Sequence, residues 1–304
     1  MSHPERQKNQ INNQLLNDGF LVVKRVLNQD MINRLRAATD PLLDSYTEEE
    51  QSRSGNQGQI ITMAYQETVF QQLIAWPGSL SALRNLGFED SRFWSAYIIS
   101  REPRTEKSYW HQDWPFWGES VSYNPQPHQL FLMFYLTDTT PANGCLRVLP
   151  KSHRALDLHE KHAHLAGEGH AGDVRHQNPA ESRAYSTDPE EIDVPVQAGD
   201  LVIGDARLLH ATQANVTNER RTVITMWYLP RYQDLPENLK AAYQMPKVDG
   251  GAPGLYVAPP SDLPASERDM IQALLPNYEG TTKPARWNRV PNYLIANKER
   301  TGRS

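Results

Sequence analysis

The spacing of hydrophobic residues is helical over most of the first 92 positions. Residues 11–16 predict an opening helix, and the β-branched and aromatic run at residues 20–24 predicts a short strand after Gly19. Asn28 offers an N-cap to a second helix that continues with apolar residues to Leu43. This region therefore predicts helices around one strand.

Two further segments of this region differ in residue composition and in the spacing of their apolar residues. Residues 48–59 are polar and contain glycine, which predicts a loop. Residues 69–86 carry apolar side chains at helical spacing, and Pro77-Gly78 interrupts them. We therefore expect a helical region that is broken in the middle.

From residue 93 onward, short apolar runs alternate with turn sequences rich in glycine, proline and asparagine. The strand candidates are residues 93–99, 130–136, 145–149, 192–196, 201–203 and 222–229. Many short strands without intervening helices indicate a mainly β protein with a jelly-roll or related barrel core. A generic β-sandwich would give the same pattern.

The domain organisation predicted is a single domain over residues 1–304. It comprises a mostly helical decoration (1–92), a β core (93–230) and a proline-rich C-terminal extension (231–304) with one helix near residues 266–275. Within the core, residues 156–188 form a long insertion rich in histidine, which predicts a lid or a partly disordered loop. Its histidines fit no structural zinc pattern and are expected to be solvated.

Composition narrows the class of protein. The net charge of −5 gives no reason to expect nucleic acid or an anionic membrane as a partner, and no apolar run is long enough to span a bilayer. The polar start lacks the apolar stretch of a secretory signal, and the single cysteine, Cys145, suits a reducing compartment. The expectation is a cytoplasmic protein that acts on a small molecule; the sequence leaves its oligomeric state open.

A His-x-Asp pair, His111 and Asp113, is the first candidate for chemistry. In an extended segment these two side chains point to the same face and can reach one metal ion. A second histidine would complete the two-histidine, one-carboxylate triad of non-haem iron(II) oxygenases, which leaves coordination positions open. His210 is the best candidate, because it ends a predicted strand that follows the Gly199-Asp200 turn.

Arg221 stands at the start of the strand after His210. The cosubstrate 2-oxoglutarate chelates iron through its keto-acid end, so its distal carboxylate lies inside the barrel and needs a buried cation. Arg221 suits this role, with a hydroxyl at Thr212 to share the carboxylate. Arg220, beside it, is the alternative.

Four stretches together resemble the phytanoyl-CoA dioxygenase family. They are Trp110-His-Gln-Asp113, Asn143-Gly-Cys-Leu-Arg-Val-Leu-Pro-Lys-Ser-His153, Gly199-Asp-Leu-Val202, and His210-Ala-Thr212 with Asn215 and Arg221. The resemblance implies a double-stranded β-helix (jelly-roll, cupin-like) core. The sequence departs from the family pattern at Lys151, where the family usually has glycine. His153 is expected to stabilise the turn that contains Lys151.

The resemblance also implies the activity. Its cofactors are Fe(II), 2-oxoglutarate and O₂, with His111, Asp113 and His210 as iron ligands, Arg221 as the 2-oxoglutarate clamp and Thr212 as its helper. The expected reaction is oxidation, chiefly hydroxylation, of an unactivated C–H bond of a small metabolite or natural-product intermediate, with release of succinate and CO₂. Asp113 disfavours halogenation. Desaturation or ring closure at the same iron, a non-catalytic cupin-like metal-binding protein and a zinc hydrolase are the alternatives.

Other residues near the motif are weaker candidates. Trp114 and Trp117 either wall the substrate site or pack the mouth of the barrel, and Tyr97 and Gln129, on neighbouring strands, could contact substrate or cosubstrate. The basic residues that precede the metal motif either attract an anionic substrate or form an exposed loop, and the exposed loop is the favoured expectation: Arg101, Arg104 and Lys107.

Overall fold

Two antiparallel sheets form the core of this computed structural model, which describes residues 14–63, 67–166, 173–244 and 265–291. The strands are β1 (Phe20–Val23), β2 (Gln59–Thr62), β3 (Arg92–Arg101), β4 (Leu130–Tyr135), β5 (Leu146–Val148), β6 (Ile192–Val194), β7 (Leu201–Asp205), β8 (His210–Thr212) and β9 (Arg221–Leu229). The larger sheet has the order β1-β7-β4-β9-β3-β2 and the smaller β6-β5-β8. This confirms the predicted mainly β jelly-roll core with flanking helices.

The side chains of the central strand β4 pack into two hydrophobic clusters, one on each face of the larger sheet. All six of its residues are buried. Leu130, Leu132 and Phe134 pack on the helical side of the larger sheet, whereas Phe131 and Tyr135 face the space between the sheets. Because successive strand residues point to opposite faces, a run without polar alternation signals a strand that is covered on both sides.

Helices flank the sheets: most pack on the outer face of the larger sheet, whereas residues 155–162 and 237–243 pack on the hydrophobic cluster that includes the space between the sheets. The helices span Gln29–Asp44, Glu48–Ser54, Thr68–Ile74, Pro77–Asn85, Ala155–His162, Glu237–Tyr243 and Ala265–Gln272, and residues 14–18 are also helical. The predicted N-cap is present, since Asn28 accepts a hydrogen bond of 2.8 Å from the Met31 backbone N–H. The predicted break is present too, because Pro77 begins a new helix. Residues 11–13 of the predicted opening helix lie outside the described residues.

The loop prediction for residues 48–59 is wrong. Glu48–Ser54 is a helix whose start carries a complete capping box between Thr47 and Glu50. The glycine that suggested a loop, Gly55, terminates this helix and opens the one-turn 3₁₀ helix Gly55–Gln57. Strand β2 follows directly and pairs with β3. Capping, which is local, outweighed the absence of an apolar stripe.

The position of His210 also differs from the prediction. Strand β7 ends at Asp205, and a turn closed by the Leu208 N–H to the Asp205 carbonyl (2.9 Å) separates the two. His210 therefore begins β8 of the smaller sheet, where it lies opposite Val148 of β5. The chain crosses from one sheet to the other just before this histidine.

The turn that departs from the family pattern keeps its left-handed conformation. Lys151 has φ of 71°, so lysine adopts the backbone geometry that glycine would favour. The expected role of His153 in this turn is consistent with its hydrogen bond to the Leu16 carbonyl oxygen (3.1 Å).

The insertion at residues 156–188 is more structured than the sequence indicates. The helix Ala155–His162 overlaps its start, and His162 is buried against Asp188 at 3.2 Å, so the expectation that its histidines are all solvated is wrong for this one. Residues 167–172, which include His170, lie outside the described residues. The division into decoration, core, insertion and extension stays a prediction. Among the described helices, none has the length and apolarity needed to cross a membrane.

Candidate active site

Three side chains with metal-binding chemistry meet at one end of the space between the sheets. His111, Asp113 and His210 place one ligand atom each within 4.8 Å of one another. The Nε2 atoms of His111 and His210 lie 3.8 Å and 3.7 Å from the two carboxylate oxygens of Asp113. Two imidazole nitrogens and one carboxylate oxygen on one side of a site form the facial set that suits iron(II) and leaves positions open.

Backbone hydrogen bonds hold the two histidines in register. The N–H of each donates to the carbonyl of the other at 3.0 Å, which makes an isolated antiparallel bridge between His111 and His210. The Nδ1 of His111 lies 3.1 Å from the Tyr109 carbonyl, and the Nδ1 of His210 lies 3.0 Å from the Leu208 carbonyl. Because a carbonyl oxygen only accepts, both Nδ1 atoms carry the proton, and each Nε2 lone pair points at the site.

Asp113 is fixed from two directions. Its backbone N–H donates to the Ala206 carbonyl (2.8 Å), and its Oδ2 accepts a hydrogen bond of 2.8 Å from the indole N–H of Trp227. Burial by itself would raise the pKa of this carboxyl, but the two histidines, Arg289 and the Trp227 N–H outweigh burial and lower the pKa. The carboxylate is therefore ionised and ready to ligate a cation.

A cavity, here called the inner pocket, extends from the three ligands into the barrel. Arg221 lies on its wall with a side chain that is only 1% exposed, and Thr212 lies there as well. Burial lowers the pKa of Arg221, and among the described residues the groups that oppose this shift are Tyr135 and Cys145, not a carboxylate. The Thr212 hydroxyl lies 3.1 Å from the Ser108 hydroxyl. The inner pocket thus holds a buried cation and hydroxyls, the chemistry that an anionic group requires.

The other side of the ligands opens to a second space, here called the outer cleft. Its walls are aromatic and cationic, and the side chains that meet there come from distant parts of the chain: Tyr97, Tyr109, Val174, Arg175, Trp227, Trp287 and Arg289. Arg289 stacks over the Trp287 ring at 4.7 Å and donates to the Gln112 carbonyl (3.3 Å). His111, Asp113 and His210 therefore stand between an inner pocket that contains a buried arginine and an outer cleft with aromatic and cationic walls.

Comparison with protein families identifies this arrangement. The pattern of the phytanoyl-CoA dioxygenase (PhyH) family matches residues 15–223, which is more than half of the chain. The chain belongs to this family. It is a non-haem iron- and 2-oxoglutarate-dependent dioxygenase, as the resemblance in the sequence implied.

Individual relatives of this dioxygenase are distant. Ectoine dioxygenase of Sphingopyxis alaskensis is 23% identical over 219 residues, which is 66% of this chain and 68% of that protein. The epimerase SnoN, solved with Fe³⁺, alpha-ketoglutarate and nogalamycin RO, has a TM-score of 0.56 at 16% identity over 94% of this chain and 98% of its own. The carbocyclase SnoK of nogalamycin biosynthesis has a TM-score of 0.53 at 20% identity over 75% and 86%. These structures share the fold.

The weaker candidates occupy different places in the dioxygenase. Tyr97 lines the outer cleft. Trp114 is buried, with its indole N–H donating to the Ser122 hydroxyl (2.8 Å), and Trp117 is buried against Tyr123. Gln129 accepts a hydrogen bond from the Tyr243 hydroxyl (2.9 Å). The walls of the inner pocket and outer cleft, as far as the described residues define them, include neither these two tryptophans nor Gln129, so all three pack the core around the site.

Sequence reasoning did not find several residues of the site. Arg101, expected in an exposed loop, is the last residue of β3 and is 1% exposed on the wall of the inner pocket. Trp287 and Arg289 belong to the C-terminal extension, where Asn288 forms a parallel bridge with Phe116 and so returns this segment to the site. No spacing in the sequence links position 289 to position 111; the backbone bridge and the Arg289 hydrogen bond to the Gln112 carbonyl form this link in the structure.

Proposed function

We propose that this dioxygenase oxidises a C–H bond of a small molecule, with His111, Asp113 and His210 as the iron ligands and Arg221 and Thr212 as the site of the distal carboxylate of 2-oxoglutarate. One observation carries the proposal. A facial set of two histidines and one carboxylate opens into a pocket lined by a buried arginine, on which no carboxylate of the described residues acts. We further propose a cytoplasmic location, since the one cysteine, Cys145, is free and buried.

The chemistry divides between the metal and the chain. Iron held by these residues would supply, with O₂ and 2-oxoglutarate, the oxidising power, and the family's reaction yields succinate and CO₂. The chain orients 2-oxoglutarate by pairing its distal carboxylate with Arg221, which brings the keto-acid end toward the three ligands. The apolar side chains around Arg221, among them Met133, Leu146 and Val223, exclude water from this pair and so strengthen it.

The outer cleft suits the organic substrate. Tyr97 and Trp227, which contact each other edge to face with centroids 5.4 Å apart, offer apolar surface beside Asp113. Arg175 and Arg289 add positive charge at the same opening. We therefore propose a substrate with an apolar ring or chain and a negatively charged group, which makes anionic metabolites the first compounds to screen.

The outcome of the oxidation has a second candidate. Hydroxylation is the reaction that we propose, and ring closure, desaturation or inversion of a stereocentre uses the same metal ligands and the same cosubstrate. Two proteins with this fold, an epimerase and a carbocyclase, support this alternative. The product separates the cases, because hydroxylation adds one oxygen atom to the substrate, whereas the other reactions leave its oxygen content unchanged.

A titration tests the proposed cosubstrate site. Fe(II) and 2-oxoglutarate are added to the purified protein without oxygen, and the visible charge-transfer absorption of the iron chelate is followed. We expect a band that saturates at one equivalent of each, followed by succinate formation when oxygen and candidate substrates are admitted. A protein that holds Fe(II) but gives no band would exclude this function and favour a metal-binding or hydrolytic protein, which needs no pocket for 2-oxoglutarate.

The Trp227 hydrogen bond to Asp113 gives a prediction for metal affinity. Trp227→Phe keeps an aromatic wall but removes the N–H that orients the carboxylate, so we expect Fe(II) affinity to fall roughly 10- to 100-fold. Competition with a chromophoric chelator measures this change. Trp76→Phe is the matched control, because it also loses an indole hydrogen bond (2.8 Å, to the Val26 carbonyl) but lies outside the site. Equal affinities in the two variants would contradict the role of Trp227.

A further inference from the structure

Two arginines, rather than one, face the inner pocket. Arg101 at the end of β3 lies directly opposite Arg221 at the start of β9. Side chains at directly opposite positions of an antiparallel pair share one face of the sheet, with their Cβ atoms about 5 Å apart. Both arginines are 1% exposed, and both line the inner pocket. The fold therefore buries two like charges side by side.

The hydrogen bonds of the two guanidinium groups are incomplete. Arg101 donates from Nη1 to the Asn56 carbonyl at 2.7 Å. Among the described residues, the Nε and Nη2 atoms of Arg101 have no hydrogen-bond partner, and the same two atoms of Arg221 have none. Nε and Nη2 form the edge of a guanidinium whose parallel N–H groups bind a carboxylate in bidentate fashion. Both arginines therefore keep this edge available.

Electrostatics indicates that an anion belongs between them. Burial, and after it the neighbouring charge of Arg221, lowers the pKa of Arg101 to about 9. The groups that act on Arg221 are Tyr135 and Cys145, and burial raises the pKa of each to about 12, so both are neutral at physiological pH. Tyr185 and the carboxylate of Glu106 act on Arg101 in the opposite direction but do not offset burial and Arg221. Two buried like charges side by side are unfavourable, and an anion in the pocket relieves both the repulsion and the unmet hydrogen bonds.

We propose that Arg101 is a second cosubstrate-binding arginine, which holds the distal carboxylate of 2-oxoglutarate together with Arg221. This inference rests on the proposed function. A carboxylate has about four acceptor positions, and the two free edges supply four N–H donors, so a single carboxylate satisfies both guanidiniums. The arrangement selects 2-oxo acids that carry a second carboxylate at the far end and discriminates against those that end in a methyl group.

Arg101→Met tests the proposal, because methionine keeps much of the length and apolar surface of the side chain and removes its charge. We expect the Kd of 2-oxoglutarate for the Fe(II)-loaded protein, measured without oxygen by calorimetry, to rise roughly 30-fold or more. We expect the Kd of 2-oxobutyrate, which lacks the distal carboxylate, to stay within about twofold. Arg101→Lys keeps the charge but loses the fork, so its Kd for 2-oxoglutarate should fall between those of the other two proteins.

The thermal midpoint separates this role from a purely structural one. If Arg101 served only to hold the 3₁₀ turn Gly55–Gln57 through Asn56, Arg101→Met would lower the midpoint of the protein without 2-oxoglutarate. We expect that midpoint to stay the same or rise, because a buried repulsion is removed, while the increase in midpoint on adding 2-oxoglutarate shrinks. Arg104→Met, at an exposed arginine three positions along, is the matched control and should match the wild type in both measurements.

The outcomes are distinguishable. A Kd for 2-oxoglutarate within about twofold of the wild type in Arg101→Met, or an equal loss of affinity for 2-oxobutyrate, would overturn the role of Arg101. If binding is lost in Arg221→Ala but unchanged in Arg101→Met, the proposed function stands and only this inference fails. If the Fe(II)-loaded wild type binds no 2-oxoglutarate, the proposed function itself fails.

Discussion

Asp113→Ala is expected to abolish turnover and to weaken Fe(II) binding by more than 100-fold. Asp113 is the one anionic member of the set, and its two oxygens face the Nε2 atoms of both histidines. Without it, two neutral imidazoles remain, and the positive charge of the metal is no longer offset. The loss should therefore exceed the roughly 10- to 100-fold change that follows when a metal ligand loses its hydrogen-bond partner. Chelator competition and succinate release measure the two effects.

Two matched variants make the result interpretable. Asp113→Asn keeps the shape of the side chain but removes the charge, so its Fe(II) affinity should fall between those of Asp113→Ala and the wild type. Asp30→Ala removes an exposed carboxylate from the first turn of the helix Gln29–Asp44 and should bind Fe(II) like the wild type. Fe(II) binding by Asp113→Ala at the strength of Asp30→Ala would show that the ion is held elsewhere.

Arg221→Ala is expected to raise the Kd of 2-oxoglutarate by roughly 30- to 4,000-fold, because losing one partner of a buried charge pair costs about 2–5 kcal/mol and each 1.4 kcal/mol is a factor of ten. Fe(II) affinity without cosubstrate should remain near that of the wild type, since Arg221 is not among the three ligands. Anaerobic titration of the charge-transfer band measures the Kd of 2-oxoglutarate, and competition with a chromophoric chelator measures the Fe(II) affinity. A loss of Fe(II) binding equal to the loss of 2-oxoglutarate binding would argue for a collapsed site instead.

Arg220→Ala is the control that the chain itself offers. Arg220 is adjacent and carries the same charge, but it precedes β9 and pairs with Glu102 and Asp44 at 2.8 Å. Because these carboxylates hold its guanidinium and Arg220 is not on the wall of the inner pocket, removing it should leave 2-oxoglutarate binding unchanged. A larger effect from Arg220→Ala than from Arg221→Ala would reverse the assignment of the cosubstrate arginine.

Local sequence signals predicted most of the strands and, of the three proposed metal ligands, the pairing of two. The strand candidates at residues 93–99, 130–136 and 222–229 correspond to β3, β4 and β9, because strands covered on both faces consist of continuous apolar runs. His111 and Asp113 could be paired from their spacing alone. His210 required the longer motif, since its contact with His111 is a backbone bridge between segments far apart in the sequence.

The residues that prediction missed are those whose role depends on long-range pairing. Ser100, Arg101 and Glu102 are polar and resemble a loop, yet β3 continues to Arg101 because its partner strand starts at Arg221. No local sequence pattern predicts this pairing of β3 with β9. Arg289 reaches the outer cleft because its segment is bonded to residues 115–117, again through backbone contacts that side-chain chemistry does not reveal.

The backbone bridge between His111 and His210 has a consequence for how the protein tolerates losing its metal. An ion held by both residues would close a chain loop of almost a hundred residues, and in an open chain that closure is entropically costly. Here the paired backbone N–H and carbonyl groups close the same loop through hydrogen bonds that involve none of the side-chain ligand atoms. The free energy of metal coordination therefore does not have to offset the entropy of closing this loop, and it contributes to the affinity for the ion instead. A chelator should remove the metal and leave a folded protein that binds Fe(II) again when the ion is added. Small zinc domains, in contrast, unfold when their metal is removed.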